Sequence, residues 1–178
     1  GKGREQVEGA LEGRDALIAV QAEQKGTGHA VAQAAQALDG YDGPVLILYG
    51  DTPFVEAATL ERMLDRLDGE DGPGVVVLGA VQADPAAYGR IIAIGDRILK
   101  MVEYKDATED ERAVDLCNSG MMAVRGADLF RWLSRVGNAN AAGEYYLPDI
   151  VMIAKDEGRA PVAIEGEPFE TAGVNSRA

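Results

Sequence analysis

The sequence predicts an α/β fold, because short apolar runs alternate with stretches of helical periodicity along its 178 residues. The most apolar run, 44–49, is typical of a central strand in a parallel sheet. The segments Arg90–Ile94 and Arg97–Val102 flank Gly95 and Asp96, which indicates a β-hairpin inserted between the strands of the parallel sheet. With 47% hydrophobic residues, the chain 1–178 is expected to fold as one domain.

The first half of the chain is predicted to form helix, strand, helix, strand and helix. Residues 7–11 carry apolar side chains at helical spacing, and 16–20 is a buried-strand candidate. Apolar residues line one face of 30–38, and Gly40 follows that helix. After the strand at 44–49, leucines and a methionine at helical spacing predict a helix over 60–67.

The second half continues the alternation. Beyond the hairpin, its predicted strands are 75–81, 116–124 and 161–164. Its predicted helices are 128–136 and 148–155, the latter with Pro148 in its first turn, where proline is well tolerated.

The charge of the chain narrows the classes of partner. Thirty acidic and 17 basic side chains give a formal net charge of -13, which repels a phosphate backbone or an anionic membrane surface. We therefore expect no nucleic-acid or membrane partner, whereas a small anionic ligand would need a cation or aimed backbone N–H groups. The single cysteine, Cys117, cannot form an internal disulfide, and no leader or membrane-length apolar run occurs, which favours a cytoplasmic protein.

The stretch 21–30, QAEQKGTGHA, lies between a predicted strand and a predicted helix. Ligands of open parallel sheets bind at this edge, and glycine lets the backbone approach them closely. Gln21 adds an amide that can pair with the edge of a base. The glycines of this stretch, among them Gly26, are therefore candidate ligand contacts, and a tight turn without a ligand remains the alternative.

A second candidate site follows the strongest predicted strand, in the sequence LYGD that ends at Asp51. A carboxylate at this position suits Mg²⁺, which prefers oxygen ligands and keeps waters or substrate phosphates. Asn175 could supply a second oxygen. The alternative for Asp51 is a helix N-cap.

Three further polar positions end predicted strands: the sequence YGR at 88–90, Glu103 and Asn118. Each could equally be a turn, a solvated charge or a cap. His29 is expected to start a helix and Trp132 to lie in the core rather than to bind a ligand.

Together these motifs resemble the uridylyltransferase domains of bacterial N-acetylglucosamine-1-phosphate uridyltransferases, which occur in bifunctional enzymes. The motifs extend along essentially the whole chain in the order found in that family. They are VQAEQKGTGHA at 20–30, LYGD at 48–51, YGR at 88–90, VEYKDA at 102–107, NSG at 118–120, GEYY at 143–146 and GVNSR at 173–177.

The resemblance implies a Rossmann-like nucleotidyltransferase sheet with helices on both faces. It also implies that N-acetylglucosamine 1-phosphate attacks the α-phosphorus of UTP, giving UDP-N-acetylglucosamine and pyrophosphate with Mg²⁺ as cofactor. Other sugar-1-phosphate nucleotidyltransferases share this architecture and remain an alternative.

The resemblance also implies roles for individual residues, grouped by the part of the substrates that they would contact. The residues that would hold the nucleotide are Gln21, Gly26 and Thr27. Those that would lie along the ribose and sugar are Tyr49, Gly50, Gly89, Glu103 and Asn118. The Mg²⁺ ligands would be Asp51, which is also the catalytic position, and Asn175.

The sequence departs from the family pattern at both ends and at one internal position. The family's opening glycine-rich loop, of the form LAAGxGTRMxSxxPK, does not occur, and the chain begins at Gly1, so we expect an N-terminally truncated domain that lacks roughly 40 to 60 residues. The family's hexapeptide repeats, through which the full-length enzymes form trimers, are also absent. Pro148 stands where the family usually has threonine.

Three hypotheses about function follow from this comparison. The chain is a fragment of an active uridylyltransferase, a non-catalytic domain that binds a nucleotide-sugar, or a domain with only a structural role. The missing phosphate-binding loop predicts that the chain alone is inactive.

Overall fold

Six strands form one mixed sheet within residues 4–174, the part of the chain that the computed structural model describes. The strands are β1 (Pro44–Ile47), β2 (Val75–Val81), β3 (Arg90–Ile94), β4 (Arg97–Val102), β5 (Leu116–Arg125) and β6 (Val162–Glu165). Their order across the sheet is β1-β5-β2-β6-β4-β3. Strand β3 also pairs with β5, at Arg90 and Cys117, so the sheet curls back on itself.

Helices cover both faces of this sheet, as predicted. Over the same residues they are α1 (Arg4–Ala10), α2 (Thr27–Ala32), α3 (Ala57–Leu67), α4 (Glu109–Arg112), α5 (Gly126–Leu133) and α6 (Asp149–Asp156). Helix α3 packs on one face, while α5 and α6 pack on the other. None of these helices combines the length and hydrophobicity needed to cross a bilayer.

Strand β2 is uniformly apolar because both of its faces are covered. In β2, Val75 and Val77 face the core that contains α5 and α6, while Val76 and Leu78 face the core that contains α3. Strand β5 divides its side chains between the two cores in the same alternating way. Trp132 is fully buried in the α5 core, which confirms its predicted structural role.

The predicted central, parallel position of the run 44–49 is wrong for the described chain. Within residues 4–174, β1 pairs only with β5, and the pairing is antiparallel. Its hydrophobicity reflects packing rather than parallel pairing, since Ile47 and Val45 contact one core and Leu46 the other. The only parallel pair among the described strands is β2 with β6.

The segment 16–20, predicted as a buried strand, is irregular and exposed. Leu17 is 81% exposed, and Ile18 and Val20 are also exposed. A strand requires a hydrogen-bonded neighbour, and no strand between residues 4 and 174 pairs with this segment. Local hydrophobicity therefore predicted an element for which the described chain supplies no partner.

The other predicted elements are confirmed, with shifts of a few residues at their ends. The largest shift concerns 30–38, where the regular helix ends at Ala32. The chain continues in tight turns, in which the amides of Ala34, Ala35 and Ala37 each bond to the carbonyl three residues earlier.

Shortening Met63 should destabilise the fold. Its side chain is fully buried between α3 and the sheet, so Met63→Ala leaves a cavity and should lower the free energy of unfolding by about 2–5 kcal/mol. Glu61→Ala, at an exposed position of the same helix, should change it by less than about 0.5 kcal/mol. Urea denaturation measures both variants, and equal effects would contradict the proposed packing.

Candidate functional site

A bulge in β5 shapes the edge of the sheet where the candidate residues meet. The register of β2 against β5 shifts between Val77, which pairs with Met122, and Gly79, which pairs with Asn118. Ser119 stabilises the bulge by donating its hydroxyl to the Leu78 carbonyl oxygen at 2.7 Å. Bulges re-aim side chains next to functional sites, and this one lies at a motif that the sequence singled out.

Tyr49 packs directly on the bulge. Because Ile47 pairs with Met122 in antiparallel register, Tyr49 follows β1 opposite Gly120. Gly120 has φ of 87°, and a Cβ at this position would lie 2.6 Å from Tyr49 Cε2, so only glycine fits. The neighbouring Gly50 is exposed beside this contact.

Burial raises the pKa of the Tyr49 hydroxyl. The Thr27 side chain acts against this shift, and the Glu103 and Asp51 carboxylates add to it. The phenol therefore stays protonated at neutral pH and can donate a hydrogen bond to a ligand.

The structure brings together three positions that are predicted to contact a sugar: Gly89, Glu103 and Asn118. The backbone amide of Asn118 donates to the Gly89 carbonyl oxygen at 2.9 Å. A Cβ on Gly89 would lie 3.4 Å from both Glu103 carboxylate oxygens, so this carboxylate packs against the glycine. Three strand ends that are far apart in sequence thus form one polar corner.

An acidic cavity of about 360 Å³ opens beside this corner. Glu103, Asp106, Tyr146 and Asp149 are among the residues that line it. Burial raises the pKa of Glu103, and the carboxylates of Asp149 and Asp106 raise it further. Pro148, the predicted departure from the family pattern, precedes α6 and also lines this cavity.

The predicted nucleotide turn is attached to the segment that contains the GEYY motif. The Gly28 amide donates to the Tyr145 carbonyl oxygen at 2.8 Å, and Thr27 Oγ1 accepts from the Leu147 amide at 3.0 Å. Gly26 has φ of 107°, and a Cβ there would lie 2.6 Å from the Tyr145 carbonyl oxygen. The glycines are therefore required by close backbone packing, whether or not a ligand binds.

Gln21 is oriented by the same turn. Its Nε2 donates to the Gly26 carbonyl oxygen at 3.1 Å and lies 3.0 Å from His29 Nδ1. Among residues 4–174, no protein hydrogen bond uses the Gln21 Oε1 atom. The side chain is half-buried and presents an acceptor rather than a donor to any ligand at the turn.

Asp51 lies in an exposed turn that lines a second cavity, of about 370 Å³, together with Tyr49, Tyr88 and Ser119. It is not a helix N-cap, because α3 begins at Ala57 with Glu56 as its N-cap. Asn175, the other predicted Mg²⁺ ligand, lies outside the described residues.

The surroundings of Asp51 fit a cation that takes most of its ligands from substrate and water. Of the residues that the structure describes, no group of three or more His, Cys, Asp or Glu side chains could hold a metal ion by itself. Mg²⁺ commonly uses only one or two carboxylates together with substrate phosphates. A single exposed carboxylate at the edge of a cavity satisfies that requirement.

Arg90 organises the loop of residues 85–88, part of which lines the Asp51 cavity. It is only 2% exposed, and its guanidinium donates to the carbonyl oxygens of Pro85 and Tyr88, to Ala86 at 3.2 Å and to Arg112 at 3.2 Å. Ala86 has φ of 37°, which is unfavourable for a residue with a side chain. The arginine therefore holds a strained loop in place.

Sequence reasoning did not assign this role to Arg90, nor did it identify Tyr145 and Leu147 as partners of the nucleotide turn. In both cases the contacts use backbone carbonyl and amide groups, which every residue carries. The only sequence signal was that Arg90 belongs to the YGR motif and Tyr145 to the GEYY motif of the resembled family, and Leu147 had none.

Replacing Arg90 should destabilise the protein by leaving buried carbonyl groups without donors. Arg90→Met should lower the free energy of unfolding by about 1–3 kcal/mol, and Arg90→Lys should recover only part of that loss because a single ammonium cannot match the planar guanidinium. Arg97→Met, on the exposed part of the same hairpin, serves as the control. Urea denaturation distinguishes the variants, and equal stability of Arg90→Met and Arg97→Met would contradict the role of Arg90 in holding the loop.

Comparison with known proteins identifies the family. Residues 2–118 match the model of the MobA-like NTP transferase domain. The chain is 61% identical over 179 residues to the bifunctional protein GlmU of Rhizorhabdus wittichii and 53% identical over 181 residues to that of Zymomonas mobilis, in each case over 100% of this chain. It spans 40% of the length of each of these relatives.

Solved structures share the fold at lower sequence identity. A UDP-glucose pyrophosphorylase in complex with UDP-glucose aligns with a TM-score of 0.63 and 21% identity over 82% of this chain and 55% of its own. A CMP:2-keto-3-deoxy-manno-octonic acid synthetase in complex with CTP aligns with a TM-score of 0.62 and 17% identity over 97% of this chain and 71% of its own. The chain belongs to the MobA-like NTP transferase domain family, and its whole length is similar to bifunctional GlmU proteins.

Proposed function

We propose that the chain forms part of a domain that transfers UMP from UTP to N-acetylglucosamine 1-phosphate. The observation that carries this proposal is the meeting of two predicted sites. Thr27, in the predicted nucleotide turn, accepts a hydrogen bond from the Leu147 amide, and the neighbouring Tyr146 lines the acidic cavity together with Glu103, a predicted sugar contact. A nucleotide and a sugar phosphate bound at these two places would lie next to each other, as a transfer between them requires.

The free Oε1 of Gln21 would favour a uracil nucleotide over a cytosine nucleotide if it faces position 3 of the base. Uracil carries a hydrogen on N3, whereas N3 of cytosine is an acceptor. Because Nε2 of Gln21 is held by the Gly26 carbonyl oxygen and lies against His29, the remaining acceptor suits the base with the N3 donor.

The polar corner of Gly89, Glu103 and Asn118 supports a sugar as the second substrate. The Glu103 carboxylate lines the acidic cavity, where it can accept hydrogen bonds from hydroxyl and acetamido groups. Tyr49 would add a protonated phenol on the other side. We propose that these residues orient the N-acetylglucosamine ring while its phosphate points toward Asp51.

In the proposed reaction, an oxygen of the sugar phosphate forms a bond to the α-phosphorus of UTP. The bond from that phosphorus to the bridging oxygen of the leaving pyrophosphate breaks, and no covalent enzyme intermediate forms. Asp51, with Asn175, would hold Mg²⁺, which supplies neutralisation of the phosphate charge. The Val174 amide donates to the Asp51 carbonyl oxygen at 2.7 Å, which brings the chain just before Asn175 alongside Asp51.

Among the residues that the structure describes, the acidic cavity and the Asp51 cavity offer no basic side chain to a triphosphate. In the portion of the chain from residue 4 to 174, neither the acidic cavity nor the Asp51 cavity is lined by lysine or arginine. This observation favours a chain that binds a nucleotide or a nucleotide-sugar without turning UTP over by itself.

The 178-residue chain alone should therefore release essentially no pyrophosphate from UTP in the presence of N-acetylglucosamine 1-phosphate and Mg²⁺. A matched control is a chimera in which this chain replaces the 179 aligned residues of the Rhizorhabdus wittichii protein, which should regain turnover. A coupled pyrophosphate assay measures both proteins. Turnover of the isolated chain near that of the chimera would show that its own residues suffice to hold the triphosphate.

Base selection tests the role of Gln21. In that chimera, Gln21→Ala should narrow the preference for UTP over CTP by about tenfold, because the lost acceptor no longer distinguishes N3 of the two bases, a difference of about 1–3 kcal/mol. Gln24→Ala, an exposed glutamine of the same stretch, should leave the preference unchanged. Competition between UTP and CTP provides the measurement, and an unaltered preference in Gln21→Ala would place base recognition elsewhere.

A further inference from the structure

Glu170 carries a buried carboxylate that the proposed reaction does not use. The residue is only 6% exposed, although it lies in an irregular segment, residues 166–174, that follows β6. Burying a charge costs free energy unless hydrogen bonds satisfy it. The hydrogen bonds of Glu170 therefore indicate which part of the molecule it holds in place.

Each oxygen of the Glu170 carboxylate accepts from a different backbone amide. Oε1 accepts from Glu56 at 3.1 Å, and Oε2 accepts from Glu167 at 3.0 Å. Glu56 is the N-cap of α3 and is separated from Glu170 by 114 positions, so this bond joins two distant parts of the chain. Burial opposes ionisation of Glu170, but the Thr59 side chain and the two amides outweigh it and hold the pKa of this carboxyl below its usual range. Both oxygens are therefore acceptors at neutral pH.

The bond to Glu56 fixes one end of the loop that carries Asp51, residues 50–56, which we call the Asp51 loop. In the middle of this loop, the Phe54 ring stacks on Phe169 with ring centroids 4.5 Å apart. The segment that contains this phenylalanine also donates a backbone hydrogen bond of 2.7 Å to the Asp51 carbonyl oxygen. The loop is thus attached to one segment near its start, at its middle and at its end.

The segment 166–174 is in turn attached to the sheet. The Gly166 amide donates to the Gly79 carbonyl oxygen at 2.9 Å, and Gln82 Nε2 donates to Thr171 Oγ1 at 3.1 Å. Thr171 is 3% exposed and lines the Asp51 cavity. The sheet therefore positions the Asp51 loop through this segment.

We propose that Glu170, supported by Phe169, is a positioning residue for the transfer reaction, because it fixes the Asp51 loop and with it the carboxylate at the cavity. The proposal rests on the proposed function, which places Mg²⁺ at Asp51. The Asp51 loop belongs to no helix or strand, and such loops open locally at low free-energy cost unless tertiary contacts hold them. Glutamate suits this role because both of its oxygens accept, whereas glutamine would turn an amino group toward one of the two amide donors.

Hydrogen–deuterium exchange of the ligand-free chain tests whether Glu170 holds the loop. Glu170→Gln should speed exchange in peptides covering 50–56 by roughly two- to tenfold, because one amide loses its acceptor. Glu167→Gln removes the same charge at an exposed position of the same segment and should leave the exchange unchanged. Peptides from the β5 core, 121–124, report whether the fold is intact. Unchanged exchange over 50–56 in Glu170→Gln would overturn the positioning role.

A second variant decides the question if Glu170→Gln also speeds exchange in the β5 core. Phe169→Ala removes a ring that is 65% exposed, so it loosens the same loop without leaving a buried donor unpaired. It should speed exchange over 50–56 and leave 121–124 unchanged. Unchanged exchange over 50–56 in Phe169→Ala would then overturn the proposal.

Metal binding tests whether the position of the loop matters for the reaction. The probe is Mn²⁺, titrated into the chimera described above in the presence of UDP-N-acetylglucosamine, with free Mn²⁺ measured by electron paramagnetic resonance. Glu170→Gln should weaken Mn²⁺ binding by about tenfold, at the low end of the effect of residues that orient metal ligands. It should also raise the Mg²⁺ concentration for half-maximal turnover more than it lowers kcat, which a mere loss of folded protein would not do.

Two controls separate this proposal from the proposed function. Glu167→Gln should bind Mn²⁺ as the original chimera does, and Asp51→Asn should lose the binding. Loss of binding in Asp51→Asn with unchanged affinity in Glu170→Gln would overturn the positioning role and leave the proposed metal site standing. Unchanged binding in Asp51→Asn would overturn both.

Discussion

The pairing of β5 with its neighbours is the constraint on which the rest of the structure depends. This ten-residue strand is hydrogen-bonded to β1, β2 and β3 and contributes side chains to both cores. The register is strongly specified, because a slip of one residue would move every buried side chain to the opposite core. Within that register the bulge at Asn118 and Gly120 can occupy only one place. The polar corner is thus positioned by the same pairing that stabilises the sheet.

Backbone groups form most of the contacts that assemble the candidate site. The turn at Gly26 packs on the Tyr145 backbone, and Arg90 holds a strained loop by its carbonyl oxygens. Such contacts require close approach, which explains glycine at positions where a Cβ would clash. They also tolerate sequence change at the partner, because every residue carries the same amide and carbonyl. Close packing of the backbone therefore positions the candidate site as much as side-chain interactions do.

The electrostatics of the chain set a condition on the proposed reaction. A net charge of -13 and cavities lined by Glu103, Asp106 and Asp51 disfavour a triphosphate unless positive charge is brought in. Mg²⁺ at Asp51 would supply part of it. The relatives that match this chain are longer, since it spans 40% of their length, and their remaining residues could contribute more. Sugar hydroxyls, in contrast, suit the acidic cavity, because its carboxylates can accept hydrogen bonds from them.

The sequence by itself determined the elements whose local pattern agrees with their final environment. Strand β2, the β3–β4 hairpin, strand β5 and helix α3 were all predicted from periodicity and turn residues, because each one's pattern matches the faces that it buries. The candidate positions at the ends of strands were predicted for the same reason, since sheet ligands bind where strands end.

Only the tertiary structure decided which strands pair and which side chains meet. The apolar run 16–20 has the composition of a strand yet lacks a neighbour in the described chain, and β1 pairs antiparallel with β5 rather than lying in a parallel centre. The contact between Thr27 and Leu147 spans 120 positions. Hydrogen-bond partners at such separations are selected by the packing of the whole chain, so no local pattern can encode them.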